Sequence, residues 1–254
     1  AFYFIEIKKW GWAYFFLALA LSTREDAILV IAFLGIYFLI RGWQKKDNQE
    51  MKAGLLIAGI SLIYFLAVIK ILMPALGGGL LRIDRYAQIG KTPIEIINNI
   101  PKIVFTAPKL DYIFWLFAPV AFLPFFSGSA LILIIPGLIE NLLTNYKFQF
   151  SSFYQYDSVL IASIFIAAIY GLKKMLEKWP NKETVIKWIF ITTILAGYIV
   201  KSRIIPVFFP TDLFKSNPHW EAFRKMAALV PKDPSISVAA NTNLVPHLSN
   251  REQV

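Results

Sequence analysis

This sequence predicts an all-α polytopic membrane protein, with about seven transmembrane or partly spanning helices and the start of a small outer α/β domain. Three observations carry that expectation. Hydrophobic residues make up 57% of the 254 and aromatics 16%, with a mean hydropathy of +0.57, which is more apolar surface than one soluble core hides. Long apolar runs recur along the chain, and Lys, Arg and Trp gather beside them rather than on one face of a soluble fold. The formal charge of +10 therefore reads as membrane topology, and nucleic acid is not an expected partner.

The runs fall at about 10–22, 27–40, 53–76, 110–126, 130–143, 158–172 and 185–200. Each is too long or too lipophilic for a loop. If the spans alternate, three basic clusters share one side: Lys8 and Lys9; Arg41, Lys45, Lys46 and Lys52; and Lys173, Lys174, Lys178, Lys182 and Lys187. That side is expected to be cytoplasmic. Trp10, Trp12, Trp43, Trp179 and Trp188 lie within a few residues of those clusters, where indoles favour the headgroup layer. Segments 77–109, 144–157 and 201 onward then face outside, and Ser127, Gly128 and Ser129 form a tight inner turn.

Inside the first outer loop, Thr92, Pro93 and Glu95 read as N-cap, first helical residue and capping-box acid. An amphipathic helix follows at the interface, with apolar Ile94, Ile96, Ile97, Ile100, Val104 and Phe105, and is expected to be interrupted near Pro101. Domain division is placed at 204/205, with a membrane domain over 1–204 and an outer domain over 205–254. In the latter, Asn217 and Pro218 start a helix to about Leu229, and Ser235 to Ala240 alternates like a strand. The chain starts within an apolar aromatic stretch and stops in polar sequence, so both ends read as cut. No cysteine is present, so no disulfide braces the outer segment.

The most informative polar feature is Ser22, Thr23, Arg24, Glu25 and Asp26, set between apolar runs of 13 and 14 residues. A 14-residue helix rises roughly 21 Å, short of a hydrocarbon core of about 30 Å. With both inner ends held by basic residues, the knot lies below the outer surface, where charges call for a watery cavity or mutual pairing. An alternative stands beside this: Ser22 with Glu25, or Thr23 with Asp26, forms a capping box for the second helix. Lys70 reads as snorkelling to the outer headgroups. Glu140 and Asn141, near an outer helix end, read as lining a cavity or as meeting water, the second being the favoured reading. Asp157 reads as the N-cap of the next helix, with Tyr154 and Tyr156 in an aromatic belt.

Arg82, Arg85, Lys91, Lys201 and Arg203, on the outside, are candidates to hold a lipid phosphate. His219 and His247 are the two histidines, and neither has a second His or Cys at ligand spacing, which disfavours a histidine metal site. Walker, dinucleotide and GxSxG motifs are missing.

Glu25 and Asp26, between two hydrophobic helices, resemble the acidic step of the predicted-membrane-protein family of unknown function DUF2079. The likeness continues through Gly35, Thr92 to Ile97, Pro119 to Pro124, Asn141, Tyr156, Ala167 to Leu172, and the ending Val245, Pro246, His247, Leu248, Ser249 and Arg251. That family is similar to membrane glycosyltransferases of GT-C type, which move a sugar from a polyprenyl-phosphate carrier to an acceptor at the outer face. The resemblance implies Glu25 and Asp26 as candidate catalytic or cavity acids, with the principal acid expected upstream of this chain. It further implies Arg24, Arg82, Arg85, Tyr156, Asp157, His247 and Arg251 as substrate contacts, with membrane lipid and a polyprenyl-phosphate sugar as partners and a divalent metal as a candidate cofactor. A transporter or flippase for a lipid-linked or small polar solute, and a non-catalytic membrane scaffold, are the alternatives.

Overall fold

A computed structural model describes residues 1–23, 25–76, 83–151, 154–201, 218–231, 233, 235, 236, 238 and 239; for Glu25, Asp26, Ile83 and 218–220 it describes the backbone alone. The chain divides into two compact units, Ala1–Lys201 and Ser202–Val254. In the first, α1 (Phe2–Glu6) is followed by α2 (Trp10–Leu21), α3 (Glu25–Lys45) and α4 (Asn48–Ala67). The last of these runs through a π-helical turn at Val68–Leu72 into α5 (Met73–Ala75). After a 3-10 segment at Ile83–Ile89 come α6 (Pro93–Val104), α7 (Ala107–Phe117), α8 (Ile135–Leu143), α9 (Ser158–Lys178) and α10 (Glu183–Lys201). The described part of the second unit holds α11 (Pro218–Leu229).

Each of the seven apolar runs is helical. Four helices have the length and composition to cross a membrane: Ala27–Lys45, Asn48–Ala75, Gln155–Lys178 and Pro180–Lys201. The pair Pro93–Val104 and Ala107–Val120, bent by 68°, makes a fifth if it counts as one span. Trp10–Leu21 and Gly128–Leu143 are shorter apolar helices. The chain is an all-α polytopic membrane protein, and the seven runs divide into full spans and partial ones.

Helix α3 packs against α4 because both present small residues at the crossing. A Cβ on Gly35 would lie 2.7 Å from the Gly54 carbonyl oxygen, and one on Gly54 would lie 2.7 Å from that of Gly35. Close backbone approach of this kind is how helices associate without a hydrophobic driving force. Lys46 sits in the left-handed region (φ 57°) and turns the chain, and Asp47 starts α4 by accepting from the backbone N–H groups of Gln49 at 3.0 Å and Glu50 at 3.1 Å. Glu50 first, then Lys8 and Gln49, hold the Asp47 carboxyl below its ordinary pKa of 3.8.

The three basic clusters meet at one end of this unit. Lys8 pairs with Asp47 at 3.6 Å. Arg41, buried, is ion-paired with Glu50 and Glu6 and donates to the Tyr170 hydroxyl at 3.0 Å, three residues before Lys173. The turn at Ser127–Ser129 lies here too, since Gly128 (φ 71°) packs beside the Lys174 side chain. Helices α3 and α9 therefore carry their N-termini, at Glu25 and Ser158, to the opposite end.

Three expectations change. Helix α3 continues through Arg41 to Lys45 and has 21 residues, a rise of roughly 31 Å, so the argument that the acidic knot is submerged applies to α2 alone, whose 12 residues rise roughly 18 Å. The cause is Arg41, whose charge is neutralised inside the bundle instead of ending the span. The Ser22 and Thr23 hydroxyls donate back to the carbonyls of Leu19 and Ala20, both at 2.7 Å, closing α2, while the Glu25 and Asp26 side chains of the expected capping box lie outside the described residues. The capping box at Thr92 and Glu95 forms in full, but α6 runs through Pro101 to Val104. Phe105 N–H still reaches the Pro101 carbonyl at 2.9 Å, and the break falls at Phe105 and Thr106. Last, the segment expected as a strand forms a turn on Asp233, whose carboxylate accepts from the backbone N–H of Ser235 at 3.0 Å and its hydroxyl at 2.7 Å; Val238 and Ala239 are outside regular elements.

Candidate functional site

The C-terminus of α8 is the organising point at the end opposite the basic clusters. A helix end leaves four carbonyls without intrahelical partners, and here side chains from other segments supply donors. The Tyr86 hydroxyl donates to Glu140 O at 3.3 Å and Gln88 Nε2 to Leu143 O at 2.6 Å. Buried Lys109, from the first turn of α7, donates to Leu142 O at 2.6 Å and Thr144 O at 2.9 Å and lies over the Phe150 ring at 4.9 Å. A cation at a helix C-terminus also meets the negative end of its dipole.

Beneath this cap lies a buried polar chain. Asn141 Nδ2 donates to the Tyr112 hydroxyl oxygen at 2.9 Å and to the Tyr156 carbonyl at 3.3 Å. The Tyr112 hydroxyl in turn donates to Asp157 Oδ1 at 2.6 Å. Asn141 Oδ1 is buried with no hydrogen-bond partner among the described residues, an arrangement that native folds seldom leave without a purpose. Arg85 stands close by: its guanidinium covers the Tyr146 ring at 3.9 Å and donates to Gln149 Oε1 at 3.3 Å. The Tyr146 ring also meets that of Tyr156 edge-on at 6.0 Å.

Three sequence-nominated residues, Arg85, Tyr156 and Asp157, thus converge around α8. Asp157 precedes α9 but makes no side-chain cap there, because the Tyr112 hydroxyl takes its carboxylate; the N-cap reading of this residue is corrected. Asn141, expected to meet water, is fully buried. Glu25 and Asp26 open α3 at this same end, with side chains outside the described set, and Arg24, Arg82, His247 and Arg251 lie outside the described residues altogether. Tyr112 and Lys109 were not singled out by sequence. Nothing local marks Tyr112, a lone hydroxyl at the head of an apolar run, and Lys109 looks like an ordinary loop cation until α8 ends beside it.

Among the described residues no group of three or more His, Cys, Asp or Glu side chains is placed to hold a metal ion. No curated protein and no solved structure matches the chain. The family comparison is positive over the entire length: a model for predicted membrane proteins matches residues 1–254, and the chain belongs to that family, DUF2079.

Proposed function

We propose that this chain is the membrane part of a glycosyltransferase of GT-C type, which takes a sugar from a polyprenyl phosphate at the outer membrane face. The observation that supports this reading is the buried Asn141–Tyr112–Asp157 chain, which sets a carboxylate and an unpartnered amide oxygen at the end where α3 begins with Glu25 and Asp26. Helix α6 flanks that end. It exposes Ile94 and Ile97 at 72% and 71%, with Phe105 just past its end at 71%, as a helix lying in the headgroup layer does.

In the proposed step, an acceptor hydroxyl oxygen attacks the anomeric carbon of the carrier-linked sugar. Its proton passes to a carboxylate of this cluster, Asp157 or one of the pair Glu25 and Asp26. The bond from the anomeric carbon to the phosphate oxygen breaks, and the polyprenyl phosphate leaves with the electron pair. Arg85, with Arg82 and Arg24 as further candidates, offsets the charge on the departing phosphate.

The test is turnover of a sugar-labelled polyprenyl phosphate by the full-length protein in proteoliposomes. Asp157→Asn, Glu25→Gln and Asp26→Asn are compared at equal expression. Loss of a positioned base lowers the rate by about 100-fold or more, and at least one of the three is expected to do so. Wild-type turnover in all three sinks the assignment. Labelled solute accumulating in the vesicles without covalent product replaces it with transport.

A further inference from the structure

At the basic end, α2 and α4 run side by side in the same direction and leave a groove between them. Its mouth is a cavity of about 310 Å³ lined by Trp10, Tyr14, Gln49, Lys52, Ala53 and Leu56. A second cavity of about 250 Å³ adjoins it through Tyr14 and Leu56 and continues along both helices to Leu21 and Ile60. Leu17, Ala18, Ile31 and Ile57 complete its apolar wall, and the Ser61 hydroxyl is turned away from it onto the Ile57 carbonyl at 2.7 Å. From Trp10 to Leu21 the groove follows 11 residue steps of α2, roughly 16 Å.

The two halves differ in chemistry. No acid lines either cavity, while Lys52 stands at the mouth and Lys9 occupies the N-cap position of α2 without a side-chain cap, where the helix dipole adds positive potential. The indole Nε1–H of Trp10 is buried and has no hydrogen-bond acceptor among the described residues. Its ring is held in place by stacking on Tyr14 at 6.2 Å. That donor, together with Lys52, which has no ion-pair partner among the described residues, calls for an anionic oxygen at the mouth, and the apolar cavity behind calls for a hydrocarbon chain. Both demands come from one molecule.

We infer that this groove binds an anionic phospholipid, with the headgroup phosphate between Trp10 Nε1, Gln49 and Lys52 and one acyl chain along α2 beside Leu17, Ala18 and Ile57. The site lies at the end opposite the Asn141–Tyr112–Asp157 cluster and is independent of the proposed transferase reading. A phosphate ester alone would gain the mouth but not the chain, so a soluble headgroup does not compete.

Native mass spectrometry of the purified full-length protein tests this, with phosphatidylglycerol as probe, phosphatidylcholine as zwitterionic control and glycerol 3-phosphate as the soluble headgroup. Wild type is expected to retain phosphatidylglycerol at least tenfold more tightly than phosphatidylcholine, with no displacement by glycerol 3-phosphate. Trp10→Phe keeps the ring and removes the donor, and weakens retention about tenfold, as loss of one charge-assisted hydrogen bond does. Lys52→Gln acts in the same direction. Ala18→Phe fills the acyl channel and weakens retention without touching the mouth, while Lys147→Gln at the other end changes nothing. Equal retention of the two lipids, displacement by glycerol 3-phosphate, or unchanged retention in Trp10→Phe and Ala18→Phe overturns the site.

Discussion

Replacing Arg41 by methionine removes the cation that joins α1, α3, α4 and α9 at the basic end. The side chains of Arg41 and Glu50 are each 9% exposed, whereas Glu6 is 33% exposed. Water therefore compensates Glu6 in the variant and leaves Glu50 as an uncompensated buried carboxylate. Breaking a buried pair from one side costs about 3–5 kcal/mol. Neutralising the orphan as well, in Arg41→Met with Glu50→Gln, recovers most of that loss, because an ion pair replaced as a whole is close to neutral. The double-mutant cycle is thus expected to show a coupling of about 2–4 kcal/mol. Lys187 and Glu183 supply the contrast: both are about half exposed, and Lys187→Gln changes stability by less than about 1 kcal/mol. Equilibrium unfolding of the full-length protein in mixed micelles measures all four. Additive losses at Arg41 and Glu50, or an Arg41→Met effect no larger than that of Lys187→Gln, would refute the reasoning.

Other outcomes follow from single contacts. Gly54→Ala places a methyl 2.7 Å from the Gly35 carbonyl oxygen and costs about 1–3 kcal/mol by overpacking; Gly59→Ala on the same helix, with nothing within 4 Å of the new methyl, is neutral or stabilises by up to about 1 kcal/mol. Tyr112→Phe strips Asp157 Oδ1 of the Tyr112 hydroxyl donor and destabilises by about 1–3 kcal/mol, read in the same unfolding assay. Thr92→Ala removes half of the capping box and frays α6 at a cost of about 1 kcal/mol, seen as faster amide hydrogen exchange at Glu95 and Ile96. The folded pKa of Asp47 lies below its unfolded value, so its contribution is complete above pH 3.8 and is lost as pH falls through the folded pKa. Asp47→Asn is expected to flatten that part of the stability curve, and an unchanged acid limb would count against the cap.

The helices were legible because lipid imposes a length and composition on every span, and a run such as 158–172 can do little else. Capping at Thr92 was equally legible, being settled within four residues. Tertiary partners were not. Arg41 looks like one more cation of a basic cluster, and only Glu6, Glu50 and Tyr170 arriving from three other helices turn it into a buried group and extend α3 past the end of its apolar run. Asp157 occupies an N-cap position by every local rule, yet Tyr112, 45 residues earlier, competes for its carboxylate and wins. Asn141 next to a helix end suggests water until α7 and α9 close over it. Tyr112 and Lys109 carry no local mark, because their hydrogen-bond partners lie 29–45 residues away along the chain.

The proposed function requires a particular topology, with the basic clusters on the cytoplasmic side and the Asn141–Tyr112–Asp157 cluster at the outer face, where the proposed lipid-linked sugar would be presented. Residues 1–254 hold no cysteine, so this part of the protein adds no background to single-cysteine labelling. Lys147→Cys lies in the exposed loop beside the candidate site and Asn181→Cys in the exposed turn at the basic end. In intact cells, a membrane-impermeant maleimide is expected to label Lys147→Cys at once and Asn181→Cys only after permeabilisation. The reverse pattern would place the candidate site in the cytoplasm and contradict the account.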